Sequence, residues 1–242
     1  AEKGKAYSKR IVDKDSSRGK ITKEKGDELL ARITPSTDYS LIKGSDLVVE
    51  AVFESPALKA EVTKKAEAYL ADTAVFGSNT STLPITGLAE ASVRPKNFIG
   101  IHFFSPVKRM GLVELIMGKD TSAETQAKAI DYVIKIKKTP ITVNDFRGFY
   151  TSRCFGTYPA EGVEMLMEGI APAIIENVGR QCGMPMGPLE VSDSVGLDTA
   201  LKIGKTNAEL NQQDYKKDPR AGLLSWIVEE KGRVGRKGGK GY

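Results

Sequence analysis

The chain has 242 residues, of which 40% are hydrophobic and 28% charged, and a formal net charge of +5. That length and balance suit one large domain or two modest ones with a real core, and exclude a chain dominated by disorder. No apolar run approaches the roughly 18 to 20 residues that span a bilayer, and the opening "AEKGKAYSKR" lacks the apolar core of a secretory signal.

Basic residues run in "KAYSKRIVDKDSSRGKITKEKGDELLAR", where they alternate with acids as on a solvated helical face. Tyr7 is the single aromatic there, too few to interleave with the basic residues for stacking on bases, so nucleic acid is not an expected partner and a polyanionic small molecule stays open. Downstream, "ARIT", "DLVVEAVF", "TAVFGS", "NFIGIHFF", "LVELIM" and "PITVN" read as strands. Between them, "ALKAEVTKKAEAYLA" and "SAETQAKAIDYVIKIKK" carry apolar residues at helical spacing. Such alternation predicts a mostly parallel α/β sheet covered by helices, with "DLVVEAVF" as a central buried strand.

Beyond Arg147 the pattern turns helical, over about Phe149 to Glu168, Pro172 to Cys182, Pro188 to Leu210 and Arg220 to Lys231. Pro159 should kink or break the first of these, because proline has no N–H to donate within a helix. Gly148 permits a sharp entry, after which Phe149, Tyr150 and Cys154 are expected to pack inward. Cys154 and Cys182 are too few for a disulfide framework and are read as buried thiols in a reducing compartment. The glycine-rich basic end "GRVGRKGGKGY" reads as mobile.

The one histidine, His102, ends "NFIGIHF", and Glu114 lies at the centre of "LVELI" after the turn-like "SPVKRMG". An antiparallel pair turning near Val107 to Arg109 places residues 102 and 114 opposite one another, with Cβ atoms about 4.5 to 5.5 Å apart. A carboxylate there would fix the tautomer of the imidazole and leave its other nitrogen as a general base. The alternative is a lone core histidine bonded to backbone. "GSNTST" reads as a polar loop after a strand, either at the ligand crevice of an open α/β sheet or as a helix cap. Glu54 in "EAVFES" is either a crevice contact or a first-turn helix acid. Ser81 lacks the G-x-S-x-G elbow of a hydrolase nucleophile.

In order, "EAVFE", "GSNTSTLPIT", "GIHFFSPV", "LVELI", "GFYTSR" and "PMGPLEVSDSVGLDT" resemble the 3-hydroxyacyl-CoA dehydrogenase family, and most of all the dehydrogenase part of multifunctional fatty-acid β-oxidation proteins. The resemblance runs from about Ile33 to the end. It implies an incomplete Rossmann-type, mostly parallel sheet over residues 1–145, then an all-α substrate and dimerisation domain over 146–242. The activity implied is NAD-dependent oxidation of a (3S)-3-hydroxyacyl-CoA to the 3-ketoacyl-CoA. Two rival readings are a non-catalytic scaffold and a β-hydroxyacid dehydrogenase that does without CoA.

Carried over by motif, His102 is the catalytic base, Glu114 its partner, and Ser81 a contact to substrate and nicotinamide. Glu54 and Lys59 match positions lining the cofactor site, and Ser105 stands where many relatives have asparagine. Ser152 holds the place of a substrate-binding asparagine. The implied partners are the acyl-CoA substrate and either a second copy or neighbouring domains of one polypeptide, in bacterial cytoplasm, or in mitochondrial matrix or peroxisome in a eukaryote. No G-x-G-x-x-G follows a strand in these residues. Since "AEKGKAYSKR" resembles the family just after its second strand, the expectation is a truncated chain whose glycine turn and ribose-binding acid lie upstream.

Overall fold

Strand pairing follows chain order. β1 (Leu47–Glu50), β2 (Val75–Ser78), β3 (Phe98–Phe103), β4 (Leu112–Met117) and β5 (Thr139–Asn144) form one sheet in the order 1-2-3-4-5. Only β3 and β4 run antiparallel. The computed structural model describes residues 1–210, 212 and 214–242, in two compact units, Ala1–Phe149 and Tyr150–Tyr242.

Alternate residues of each strand point to opposite faces, which splits the core of the first unit in two. On one face Phe76, Phe98 and Ile116 pack with Ile85, Leu88 and Ala66; on the other Val75, Ile99, Ile101, Val113 and Leu115 pack with Ala129 and Val133. Each of the larger side chains removed from water contributes about 1.5–3 kcal/mol before the entropy of ordering is counted. Gly100 is small for a reason: a Cβ there would lie 2.8 Å from both Ile116 and Ile85.

Two helices precede the sheet, α1 (Glu2–Ser17) and α2 (Lys23–Ala31), and α1 has no buried residue, as its mixed charge predicts. "ARIT" is not a strand. A strand exists through ladder bonds to a neighbour, and no described residue pairs with this segment. α3 (Pro56–Glu67) starts with Pro56 behind the Ser55 cap, whose side chain accepts the Leu58 N–H. α4 (Ile85–Ala89) is short, and α5 (Ala123–Lys135) is capped by Ser122.

The second unit is helical: α6 (Thr151–Met167), α7 (Pro172–Gln181), α8 (Pro188–Val195), α9 (Leu197–Leu210) and α10 (Pro219–Ser225), with a π-helical turn over Trp226–Glu230. Its core gathers Val163, Ile175 and Leu189. α6 runs unbroken through Pro159. The expected single helix from Pro188 instead divides at Gly196, whose φ of +104° no helix accepts. Both cysteines are exposed, not buried: Cys154 lies on an outward position of α6 and Cys182 follows the end of α7.

The glycine-rich end is folded rather than mobile. Gly235 pairs with Lys240, Arg236 meets Glu190 at 3.0 Å, and the Tyr242 N–H donates to Asp193 at 3.1 Å. Tyr242 packs on the helical core, and burial, followed by the Asp193 charge, pushes its phenol up to about 12. Among the described residues no helix is long and apolar enough to cross a membrane.

Candidate active site

Register decides the centre of the site. In the β3–β4 pair Gly100 faces Ile116, Ile101 faces Leu115 and His102 faces Glu114. The His102 Nδ1 lies 2.7 Å from Glu114 Oε2. Glu114 is fully buried and His102 is 5% exposed. A carboxylate at that depth is tolerated only with partners. The bond orients the ring about one nitrogen and leaves the other for chemistry. Phe104 lies 4.5 Å and Phe149 5.8 Å from the imidazole, ring centre to ring centre. Phe149 precedes α6 instead of opening it, is buried, and has φ of +49°, a conformation that costs a bulky residue about 1–3 kcal/mol. Tyr150 and Cys154, expected inside with it, are exposed.

The parallel strands β1, β2 and β3 end at one edge, the edge at which open α/β sheets bind ligands. Residues 79–82 leave β2 there. Asn79 donates its N–H to the Glu50 carbonyl, and its side-chain oxygen accepts the Phe103 N–H at 2.8 Å, which ties the loop to the residue after His102.

Glu54 closes the loop from the β1 side. One of its oxygens accepts the Thr80 hydroxyl at 2.6 Å, the Ser81 N–H at 2.8 Å and the Thr82 N–H at 3.2 Å. Burial pushes this carboxyl up, but the Thr80 hydroxyl, the Ser81 N–H and the Lys59 ammonium together outweigh it and hold the group below its ordinary value. Ser81 itself is exposed, and so is Ser105, which precedes Pro106 through a cis bond. Ser152 is the second residue of α6, half-buried, in the other unit.

Lys59 is 2% exposed. Its Nζ lies 3.0 and 3.1 Å from the two oxygens of Glu50, and 3.4 Å from Glu54 Oε2 and from the Val52 carbonyl. The Ser78 hydroxyl donates to Glu50. Ser78 and Asn79 belong to the polar segment "GSNTST", whereas nothing in the sequence pointed to Glu50 as a site residue. One signal was available: "DLVVE" ends a run read as a buried strand with a carboxylate, and a buried charge must find a partner.

Against family models, residues 1–146 match the NAD binding domain of 3-hydroxyacyl-CoA dehydrogenase and residues 148–242 its C-terminal domain. A fatty acid oxidation complex subunit alpha from Shewanella halifaxensis is 40% identical over 237 residues, covering 98% of this chain and 33% of that protein. The chain thus spans about a third of the length of the curated relatives it matches. Among solved structures, (S)-3-hydroxybutyryl-CoA dehydrogenase from Ralstonia eutropha is similar with a TM-score of 0.87 and 36% identity, over 99% of this chain and 84% of that one. The 3-hydroxybutyryl-CoA dehydrogenase of Escherichia coli gives a TM-score of 0.90 at 28% identity, over 99% of this chain and 51% of that one.

Proposed function

Because the chain belongs to the 3-hydroxyacyl-CoA dehydrogenase family, we propose that it carries the oxidation of a (3S)-3-hydroxyacyl-CoA to the 3-ketoacyl-CoA in fatty-acid β-oxidation. The observation that supports this reading best is the buried His102–Glu114 pair. His102 takes the substrate hydroxyl proton on the ring nitrogen that does not face Glu114, and Glu114 stabilises the imidazolium so formed. NAD, the cofactor of the family's first domain, supplies the acceptor for the hydride that leaves C3.

The edge residues suit the nicotinamide end of that cofactor: a polar loop ending in Ser81, the carboxylate of Glu54, and a base two strands away. Ser81 and Ser152 are assigned to the substrate oxygens, and Ser105 to the nicotinamide side. A glycine-rich turn for the pyrophosphate is not among these 242 residues. By themselves they are therefore expected to hold NADH weakly, and tight binding in a fluorescence titration would place the pyrophosphate on another segment.

The helical unit is assigned to self-association or to packing against neighbouring domains, in the cytoplasm of a bacterium such as those holding its relatives. The discriminating experiment measures NADH-dependent reduction of acetoacetyl-CoA beside NAD-dependent oxidation of free 3-hydroxy acids, in the intact protein and at saturating cofactor. Turnover of the thioester alone supports the proposal. Turnover of free acids at equal rate, or of neither, overturns it.

A further inference from the structure

α4 is too short to stand on its own hydrogen bonds, and it begins without a cap of its own. Its N-cap is Pro84, whose side chain accepts nothing, and first-turn N–H groups find no acceptor inside a helix. Ile85 is fully buried, so its N–H must be met from elsewhere. Asp145 meets it. Sixty residues downstream, this carboxylate accepts the Ile85 N–H on one oxygen at 2.8 Å and, on the other, the Thr86 N–H at 2.8 Å and the Thr86 hydroxyl at 2.5 Å. The Thr86 hydroxyl in turn accepts the Lys119 N–H, just past β4, at 3.0 Å.

The loop that carries Ser81 leaves β2 and runs directly into α4, so Asp145 holds its far end while Asn79 and Glu54 hold the near one. Asp145 also follows β5 directly and opens the segment that leads to Phe149. There the Phe149 N–H donates to the Phe146 carbonyl at 2.9 Å, in a turn whose Gly148 and Phe149 have φ of +73° and +49°. A strained turn keeps its shape only where its surroundings hold it. One end is the Asp145 carboxylate; the other is the Phe149 ring, buried with Phe76, Ile85 and Phe98 and edge-on to the His102 imidazole. We propose that Asp145 is a positioning residue for His102: by capping α4 from the end of β5 it fixes both the far end of the Ser81 loop and the seat of Phe149 against the imidazole. Its catalytic meaning rests on the reading of His102 as the base, whereas the link from Asp145 to α4 and Phe149 is independent of that reading.

Asp145→Ala removes both accepting oxygens. Asp145→Asn keeps one of them and carries the same test, with smaller effects, should the alanine variant not fold. Phe149→Leu alters the seat of the ring and leaves the α4 cap in place. Amide hydrogen exchange and steady-state reduction of acetoacetyl-CoA by saturating NADH are read together in the intact protein, for each single variant and for the combination of Asp145 and Phe149 changes.

In Asp145→Ala the Ile85, Thr86 and Phe149 amides should exchange about fivefold faster or more, the factor for one lost hydrogen bond, while amides within β2 and β3 keep their protection. The value of kcat should fall about tenfold or more, within the roughly 10²-fold that a misplacement near 1 Å costs, and KM for acetoacetyl-CoA should change less. Phe149→Leu should lower kcat with the Ile85 and Thr86 amides still protected, and the combined variant should lose less than the product of the two single losses. An unchanged kcat in a variant whose α4 amides have loosened would make Asp145 a helix cap alone and overturns the proposal, as do losses that multiply independently or a rise in KM without a fall in kcat. Should the unaltered protein fail to reduce acetoacetyl-CoA, the assignment of function fails, and the exchange of the Phe149 amide beside those of Ile85 and Thr86 still decides the link: faster exchange at all three supports it, and unchanged protection at Phe149 overturns it.

Discussion

Glu114 and Glu50 lie on the same face of one sheet, each buried and each paired, and the pairs differ in what they leave over. Glu50 and Ser78 form one cross-strand row with Gly100 and Ile116, and His102 with Glu114 forms the next row along β3 and β4. Imidazole gives one nitrogen to Glu114 and keeps another. The ammonium of Lys59 is used on all sides. The same carboxylate chemistry therefore yields a proton carrier in one row and a fixed brace in the other, according to the valence of the partner.

The comparison breaks first at His102. Replacing it with glutamine should lower kcat by about 10² to 10⁴, the usual worth of a general base, and Glu114→Gln should cost less or the same. Steady-state reduction of acetoacetyl-CoA measures both, and a near-normal kcat in His102→Gln removes the base.

At the brace, the loss should appear in stability. Lys59→Met leaves the buried Glu50 carboxylate without its cation and should cost about 3–5 kcal/mol in urea unfolding, much of it recovered when Glu50→Gln is added. A double variant no more stable than the single one would mean that the two residues do not act as a pair.

A smaller effect is expected at Ser152. If its hydroxyl serves the transition state, Ser152→Ala lowers kcat/KM by about 1–2 kcal/mol, the scale of one neutral hydrogen bond lost with its partner unpaired. An unchanged kcat/KM would leave the His102–Glu114 pair standing and remove Ser152 from the site.

The gentlest test is a titration. The folded-state value of Glu54 lies below its ordinary 4.5, so its stabilisation is complete above that pH and is lost as pH falls through the folded value. A carboxyl ¹³C titration should place its midpoint below 4.5; a midpoint at or above it would mean that the loop amides do not hold the carboxylate.

Residues 102 and 114 could be paired on paper because an antiparallel turn has arithmetic: each step on one strand is matched by a step on the other, and side chains alternate between faces. The same alternation of apolar runs announced the mostly parallel sheet, and motifs in order announced the family. Local pattern was enough wherever one period governs, as in β4, whose "LVELIM" is a strand from end to end.

Where a residue's place depends on a neighbour far along the chain, the sequence was silent or misleading. "ARIT" has strand character and no described partner; Gly196 divides a periodic run by a single backbone angle; the end expected to be loose is held by Glu190, Asp193 and Asp198. Packing of α3 on the sheet brings the Lys59 ammonium onto Glu50 and Glu54, a partnership that no spacing announces. Periodicity and spacing are properties of the chain, so the sequence by itself determined most of the strands and the sheet class, and it set His102 and Glu114 at matching steps of one possible pairing. The desolvation of a charge is a property of everything around it, so only the tertiary structure decided which buried ions brace the site and which one is left to react.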